Sequence, residues 1–562
     1  LVADPRPITQ IRPAVPAAIA GVLQRALAKN PADRFSPVAQ FGDALRTGIA
    51  APVASPAPSV ARSSWLGNRW LLIAGTAAAL LGVVVVGTLL ANRRTRTTAD
   101  AGVPSVAVLP FVDLSGGANE YLADGMAETL INALSSVSGL RVAARTSAFS
   151  FKGKNEDVRS IGQALGVAAV LEGSIQRAGD QLRITAQLIN AKDGFHVWSQ
   201  NFDRRAIDVF AVQDEVARAV VSALEVKLVG GANARVVEQG TKSLDAYNAY
   251  LQGLFYWNKR TTADMERAAA YFNQAIALDS AFSKAWSGLA LAYVLFTPSE
   301  YYVKSISAVE ALNRAEVAAR RALVLDTRSA EAYAALGDAF TQRGRLEEAS
   351  AAFRKAIEID SRYPTARQWY AGNLAKTGEI DEALKQMLAA QQLDPLSLVI
   401  AIETAEFLDA AGRRAESTQQ YERVMKQYPD AYLTHLFGGP HFLADRDFER
   451  AADLLGRLAI DILGDTAAGT RITAGIRDSS TRRATVLALS DTVRVPDIAI
   501  ALHRSRGDDD AAIAVFEKAV DGPLYERLYL GHSRALLGPE LCARPRTEAA
   551  IERFITRLRE RR

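Results

Sequence analysis

The sequence predicts a multidomain, mainly helical protein: a short helical piece, one membrane-crossing helix, a small α+β domain and a long helical-repeat solenoid. Three observations predict it. Residues 71–91 carry no charge, residues 167–202 alternate as strands do around two turn sequences, and from about residue 244 small and apolar residues recur every 34 positions.

At 562 residues the chain is too long for one ordinary domain, and roughly 150 residues per domain suggests three or four. The 66 basic and 62 acidic residues leave a net charge of +4, so the basic character is a small excess on a mixed surface. No Lys/Arg run is interleaved with aromatics, and no nucleic-acid partner is expected. The basic stretch 536–562 reads as a helix with a solvated face. One cysteine, Cys542, excludes an intramolecular disulfide and a cysteine-based zinc cluster. The sequence opens on Leu1 without a charged and apolar leader, and reads as a fragment.

The uncharged run LLIAGTAAALLGVVVVGTLLA, at about 1.5 Å per residue, matches the roughly 30 Å hydrocarbon layer as one helix over 70–92. Trp65 and Trp70 flank it on one side and Arg93, Arg94 and Arg96 on the other, as interface anchors do. The Pro, Ala and Ser composition of residues 49–69 is that of a linker.

Before the linker, Ile19, Val22, Leu23, Ala26 and Leu27 recur at helical spacing and stop at Asn30-Pro31, and a second helix starts near Ser36-Pro37. The wording RALAKNPADRF over 25–35 resembles the end of the C-lobe of bacterial serine/threonine protein kinases, which would make residues 1–48 a remnant of that lobe. That family usually has Asp where Asn30 stands. The resemblance implies that Arg34 is the arginine that pairs with the glutamate closing the activation segment. The glycine-rich loop, the phosphate-gripping lysine and the catalytic and magnesium-binding aspartates have no match. No catalytic, cofactor-binding or metal-binding residue is therefore expected in this chain, and ATP and magnesium are implied only for a missing kinase core. A kinase places residues 1–69 in the cytoplasm and residues 92–562 on the periplasmic or extracytoplasmic side of an inner membrane. The flanking arginines lean weakly the other way.

Residues 104–230 begin with an apolar run, SVAVLPF, and a helix over 121–137 bearing Leu122, Met126, Leu130, Ile131 and Leu134 on one face. Strands follow over 167–177, 182–190 and 195–202, separated by Ala178-Gly179-Asp180 and Lys192-Asp193-Gly194, and a helix closes the domain over 210–228. The result is a small sheet covered by helices. VAVLPF, YLADGMAETL and LEGSIQRAGDQLRITAQLINAKDGFHVWSQNFDR resemble the TolB-type domain found beside repeat modules, which implies assembly or sensing and no reaction. Gly116-Gly117 lacks the spacing of a phosphate loop and reads as a turn. His196 reads as a partly buried histidine beside Trp198, without a nucleophile to serve.

The clearest repeat has Tyr333, Leu336, Gly337 and Phe340, then Ala349, Phe353 and Ala356. Steps of 34 reach Tyr370, Ala371, Leu374, Ala383, Met387 and Ala390, then Leu408, Tyr421 and Val424, then Ala451, Leu455 and Leu458. This is the period of tetratricopeptide repeats, expected over 244–535 with a degenerate stretch near 466–495. The aromatics read as core, and the small residues as points where helices cross closely. A partner protein or peptide is expected in the groove such arrays form, with Glu331, Asp338, Thr365 and Gln368 as exposed first-helix positions. His435 and His441 are six apart and fall on different helix faces, an unconvincing metal pair.

The functional expectation is the membrane-anchored signalling module of a bacterial serine/threonine kinase, binding a protein or peptide and transmitting through association into a homodimer. The alternative is a non-catalytic envelope scaffold acting through the repeats.

Overall fold

The computed structural model describes residue 22 and residues 103–205, 208–224, 240–296, 303, 305–522 and 530–560. The linker, the 71–91 run and the N-terminal helix pair with Arg34 lie outside these residues, apart from the helical Val22. Among the described residues no helix is long and apolar enough to cross a membrane. The chain divides into two compact units, residues 1–99 and 100–562, and the second contains both the sheet and the helical pairs.

The α+β part has six strands: β1 Ser105–Val108, β2 Val112–Asp113, β3 Arg141–Val142, β4 Ala169–Ala178, β5 Gln181–Asn190 and β6 His196–Arg205. Their order is β3-β1-β4-β5-β6, with β2 on β4. β1 runs parallel to β3 and β4, because α1 Glu120–Ser135, α2 Arg145–Phe149 and α3 Val158–Leu165 carry the crossovers. β4, β5 and β6 form the antiparallel meander that the two turn sequences predict. One face buries Leu171, Ile184, Leu188 and Phe202 under α1 and α4 Val209–Ala223. Part of the other face is covered by Ile161 and Leu165 of α3. A bulge between Leu188 and Ile189 shifts the register, and His196 is exposed rather than partly buried.

The helical part is built of pairs: α5 Leu244–Lys259 with α6 Thr262–Leu278, α7 Ser283–Val294 with α8 Ala308–Leu325, α9 Ala330–Gln342 with α10 Leu346–Ile359, α11 Pro364–Thr377 with α12 Ile380–Leu393, α13 Leu398–Ala410 with α14 Arg414–Gln427, and α15 Tyr432–Ala444 with α16 Phe448–Leu463. From α9 onward every first helix and every second helix starts 34 residues after its predecessor, and α17 Thr466–Arg477 and α18 Arg482–Val493 keep that register. The stretch expected to be degenerate is therefore a helix pair. It has lost the signature residues but kept the backbone period. Phe353 shows what the signature does: its ring lies 2.6 Å from where a Cβ on Gly337 would stand, so only glycine lets α9 and α10 approach this closely.

After α18 the stacking ends. α19 Pro496–Ser505, α20 Asp509–Asp521, α21 Leu530–Cys542 and α22 Pro545–Arg559 fold back over the array, α19 packing on α15 and α21 on α13. The basic C-terminal stretch is not simply a solvated helix. α22 buries Ala550, Ile551, Phe554, Ile555 and Leu558 while its arginines pair outward, Arg546 with Glu517 and Arg553 with Asp521.

Candidate protein-interaction face

First helices of neighbouring pairs touch one another, α5 with α7, α7 with α9 and α9 with α11, whereas their second helices stand further apart. Side-by-side first helices therefore form the tighter, inner face of the array. Its two edges are the loops that lead into the first helices and the turns that leave them. In this protein both edges are partly covered by other parts of the same chain.

The entry edge carries the α+β domain. Aspartates recur at 34-residue steps where second helices end, and Asp326 and Asp360 close their own loops by accepting the backbone N–H of Arg328 and Arg362 at 2.9 Å. Asp394, next in the series, reaches across instead. It accepts from the backbone N–H of Ser147 at 3.0 Å and from its hydroxyl at 2.5 Å, and that hydroxyl accepts from the N–H of Leu396 at 2.9 Å. Arg362 donates to the carbonyl of Leu140 at 2.7 Å. Further along, the buried Tyr247 hydroxyl meets Thr129 at 2.8 Å and accepts from Gln213 at 2.7 Å, which ties α5 to α1 and α4. Burial pushes that phenol up to about 12.

The exit edge carries the C-terminal return. Gly344, Gly378 and Gly412 have φ of 66°, 87° and 75°, and the next position at the same period is Arg446, with φ 62°. An arginine tolerates this left-handed conformation less readily than glycine. What holds it is its guanidinium, which donates to the carbonyl of Ser505 at the end of α19 at 2.5 Å. The other turns are engaged too. Arg559 donates to the Gly344 carbonyl at 3.1 Å, Arg534 to the Ala375 carbonyl at 2.7 Å, and Pro539 packs against Gly412.

Between these edges lie the predicted groove positions. Glu331 is exposed in the first turn of α9. Asp338 is half-buried and accepts from Gln342 at 2.7 Å, and burial pushes its carboxyl up to about 6. Gln342 also donates to the Val294 carbonyl of α7 at 2.8 Å. Gln368 donates to Glu403 of α13 at 3.2 Å, and Thr365 is half-buried. Gln342 and Gln368 thus link neighbouring first helices, with Asp338 bonded to Gln342 inside α9, while Glu331 faces water beside the acidic Glu128 of α1, whose carboxyl burial raises. From α13 onward the face turns apolar. Ile402 and Leu436 join Leu536, Leu537 and Leu541 of α21 in one cluster. α13 is buried on nearly all sides, its polar Thr404, Glu406 and Asp409 included.

His435 and His441 serve the packing of α15. His435 meets Asp461 at 2.6 Å and the Pro429 carbonyl at 2.9 Å, and His441 meets Asp409 at 2.8 Å and Thr418 at 3.0 Å. They bind α15 to different neighbours. Among the described residues no group of histidine, cysteine and carboxylate side chains could hold a metal ion.

Asp497 of α19 is buried beneath α21, where it accepts from the Ser533 hydroxyl at 2.6 Å, and burial pushes its carboxyl up to about 6. The folded chain holds this proton more tightly than an exposed aspartate with a pKa near 3.9. Its contribution to stability is therefore full below about pH 4 and is lost as pH rises through about 6, a change of roughly 3 kcal/mol. Asp497→Asn should flatten the profile of urea midpoint against pH between 4 and 7 relative to the unsubstituted chain, in which Asp338 acts in the same direction. An unchanged slope would refute the assignment.

A family model described as a TPR repeat matches residues 337–369, the second half of α9, all of α10 and the start of α11. The helical part of the chain carries tetratricopeptide repeats. A second model, described as the second domain of HilA/YgeH-like transcriptional regulators, matches residues 102–219, which is the α+β domain. The TolB-type likeness read from the sequence is not among these family matches. A curated protein of Rhizobium meliloti (strain 1021), described as "Putative adenylate cyclase 3", is 40% identical over 201 residues, covering 33% of this chain and 34% of its own length. The chain thus spans about a third of that relative. Among solved structures, Pseudomonas aeruginosa PilF is 18% identical, covering 41% of this chain and 97% of its own at a TM-score of 0.31. YrrB, titled as a TPR protein with an unusual peptide-binding site, is 21% identical, covering 36% and 97% at a TM-score of 0.26. At these scores neither likeness bears on function.

Proposed function

We propose that residues 103–560 form a protein-interaction scaffold that serves a membrane-anchored signalling protein, with the open first-helix face around Glu331, Asp338, Thr365 and Gln368 receiving a protein or peptide. The repeat array carries this reading, because its first helices leave a polar strip between two partly covered edges. The kinase-like wording around Arg34 and the uncharged run at 71–91 support an output domain that uses ATP and magnesium, a single membrane crossing and association into a homodimer. In this reading residues 1–69 are cytoplasmic and the scaffold is periplasmic or extracytoplasmic.

A second reading keeps the scaffold and changes the output, favoured by the 40% identity to a relative described as an adenylate cyclase. A third dispenses with catalysis and makes the chain an envelope scaffold. The genomic sequence preceding Leu1 separates them. A catalytic-loop aspartate and a magnesium-binding aspartate within about one domain's length select the kinase.

For the scaffold itself, a photo-reactive amino acid at Glu331 should capture a partner in cells, whereas the same group at Val324, 72% exposed on the second helix α8, should not. Equal capture at both positions would remove the face from the proposal.

A further inference from the structure

Where the α+β domain meets the first pairs, four elements converge on one cleft. The Tyr247 hydroxyl ties α5 to α1, and Asn258 of α5 donates to the Glu128 carboxylate of α1 at 3.4 Å, so α1 and α5 form two of its walls. Arg362 donates to the Leu140 carbonyl and holds the loop before α11 to the same domain. Tyr250 of α5, Glu331 of α9 and Tyr363 before α11 complete the lining. Burial raises the phenols of Tyr250 and Tyr363 and the carboxyl of Glu128, and the charge of Glu331 adds to the rise in all three. Such an effect fades with distance, so these groups share one space. Glu128, Tyr250, Asn258 and Tyr363 are half-buried and Glu331 is exposed, so that space opens to water.

Its charge is unbalanced. On the second helices carboxylates pair within their own helix, Glu310 with Arg314 and Glu316 with Arg320 at 2.7 Å and Glu382 with Lys385 at 3.0 Å. Glu331 has no ion-pair partner among the described residues, and its contact is the Ser329 hydroxyl, 3.4 Å away. The cations nearby are engaged. Arg145 donates to Glu128 at 2.9 Å, and the Arg260 guanidinium lies 3.8 Å from the centre of the Trp257 ring. A carboxylate without a cation therefore stands beside two phenol rings. Arginine and lysine carry donors and no acceptors, and their charge is attracted to ring faces. Arg145 already shows this pairing within the chain, with Glu128 as its carboxylate and the centre of the Phe149 ring 3.8 Å from its guanidinium.

We propose that this cleft, between α1 and the inner face at α5, α9 and the start of α11, binds an arginine or lysine side chain of the partner protein, with Glu331 as its carboxylate and Tyr250 and Tyr363 as its ring contacts. The proposal rests on the scaffold reading and adds the chemistry of the segment recognised, basic at this point rather than acidic or apolar. It also makes the α+β domain part of the recognition surface, because α1 supplies one wall.

The probes are fluorescent nonapeptides of glycine and serine that differ in two central residues: arginine, its uncharged analogue citrulline, or glutamate. Titrated into the full chain and followed by fluorescence anisotropy, the arginine peptide should bind about tenfold more tightly than the other two. Glu331→Gln should remove that advantage, and Glu331→Arg should reverse it, so that the glutamate peptide binds best. Glu331 is exposed, so neither substitution empties a packed site, and circular dichroism should be unchanged. Glu552→Gln, at an exposed position of α22, changes the net charge as Glu331→Gln does and should leave binding as it is, which separates the cleft from general attraction. No binding, equal affinity for the arginine and citrulline peptides, or an arginine preference that survives Glu331→Gln or falls equally with Glu552→Gln would each overturn the proposal. If a photo-reactive group at Thr365 on the same face captures a partner in that case, the scaffold reading stands and the basic specificity alone falls.

Discussion

Phe353→Ala should destabilise the repeat array by about 3–5 kcal/mol, the usual cost of emptying a large aromatic site. Phe353 is fully buried, fills the crossing that Gly337 leaves open, and lies 5.9 Å from the Tyr370 ring of the next first helix. The cavity cannot collapse easily, since the spacing of α9 and α10 is held on both sides by neighbouring pairs. Urea denaturation followed by circular dichroism should show the loss, and hydrogen exchange should place it in residues 330–377. A loss below about 1 kcal/mol would mean that the pair repacks and that Gly337 is not a tight crossing.

Asp394→Ala should cost about 3 kcal/mol and loosen the α+β domain from the repeats. The substitution strips both the backbone N–H and the hydroxyl of Ser147, a residue with 0% exposure, of their acceptor, and orphaned buried donors are expensive. Because burial raises the Asp394 carboxyl while Ser147 opposes that shift, the pair is a compromise between desolvation and hydrogen bonding. A double-mutant cycle with Ser147→Ala tests the coupling, and purely additive effects would show that no latch exists. Faster hydrogen exchange over residues 145–150 in Asp394→Ala, with the sheet unchanged, is the expected local signature.

Much of the fold can be read from the residues. Leu182, Ile184 and Leu188 alternate with polar residues because one face of β5 meets α1 and α4 while the other is open or thinly covered. The pairs beginning at α9 follow from Gly337, Phe353 and Ala356 and their equivalents, since each marks a place where two helices must approach or fill a gap. The pair α17 and α18 could not be read in this way. Its period is carried by the backbone, and it packs through Ala468, Ile476, Val486 and Leu489, which are ordinary apolar residues with no signature. At the candidate face, Glu331 was legible as an exposed first-helix position, but the bridging roles of Gln342 and Gln368 were not, because their partners Val294 and Glu403 are set by how neighbouring pairs stack.

By itself the sequence determined the repeat period, the antiparallel meander with its turns, and the separation of an α+β segment from a helical one, all of which follow from local periodicity and turn chemistry. Only the tertiary structure decided what covers the array. Asp326, Asp360 and Asp394 look alike in sequence, yet the first two close their own loops and the third binds Ser147, because the α+β domain brings Ser147 within reach of Asp394, whereas it meets the Asp360 loop through Arg362. Gly344, Gly378, Gly412 and Arg446 share one period and one left-handed turn, yet the arginine is held there by a carbonyl 59 residues away. Such choices depend on contacts between segments far apart in the chain, and local patterns carry no record of which of several equivalent positions a distant segment will reach.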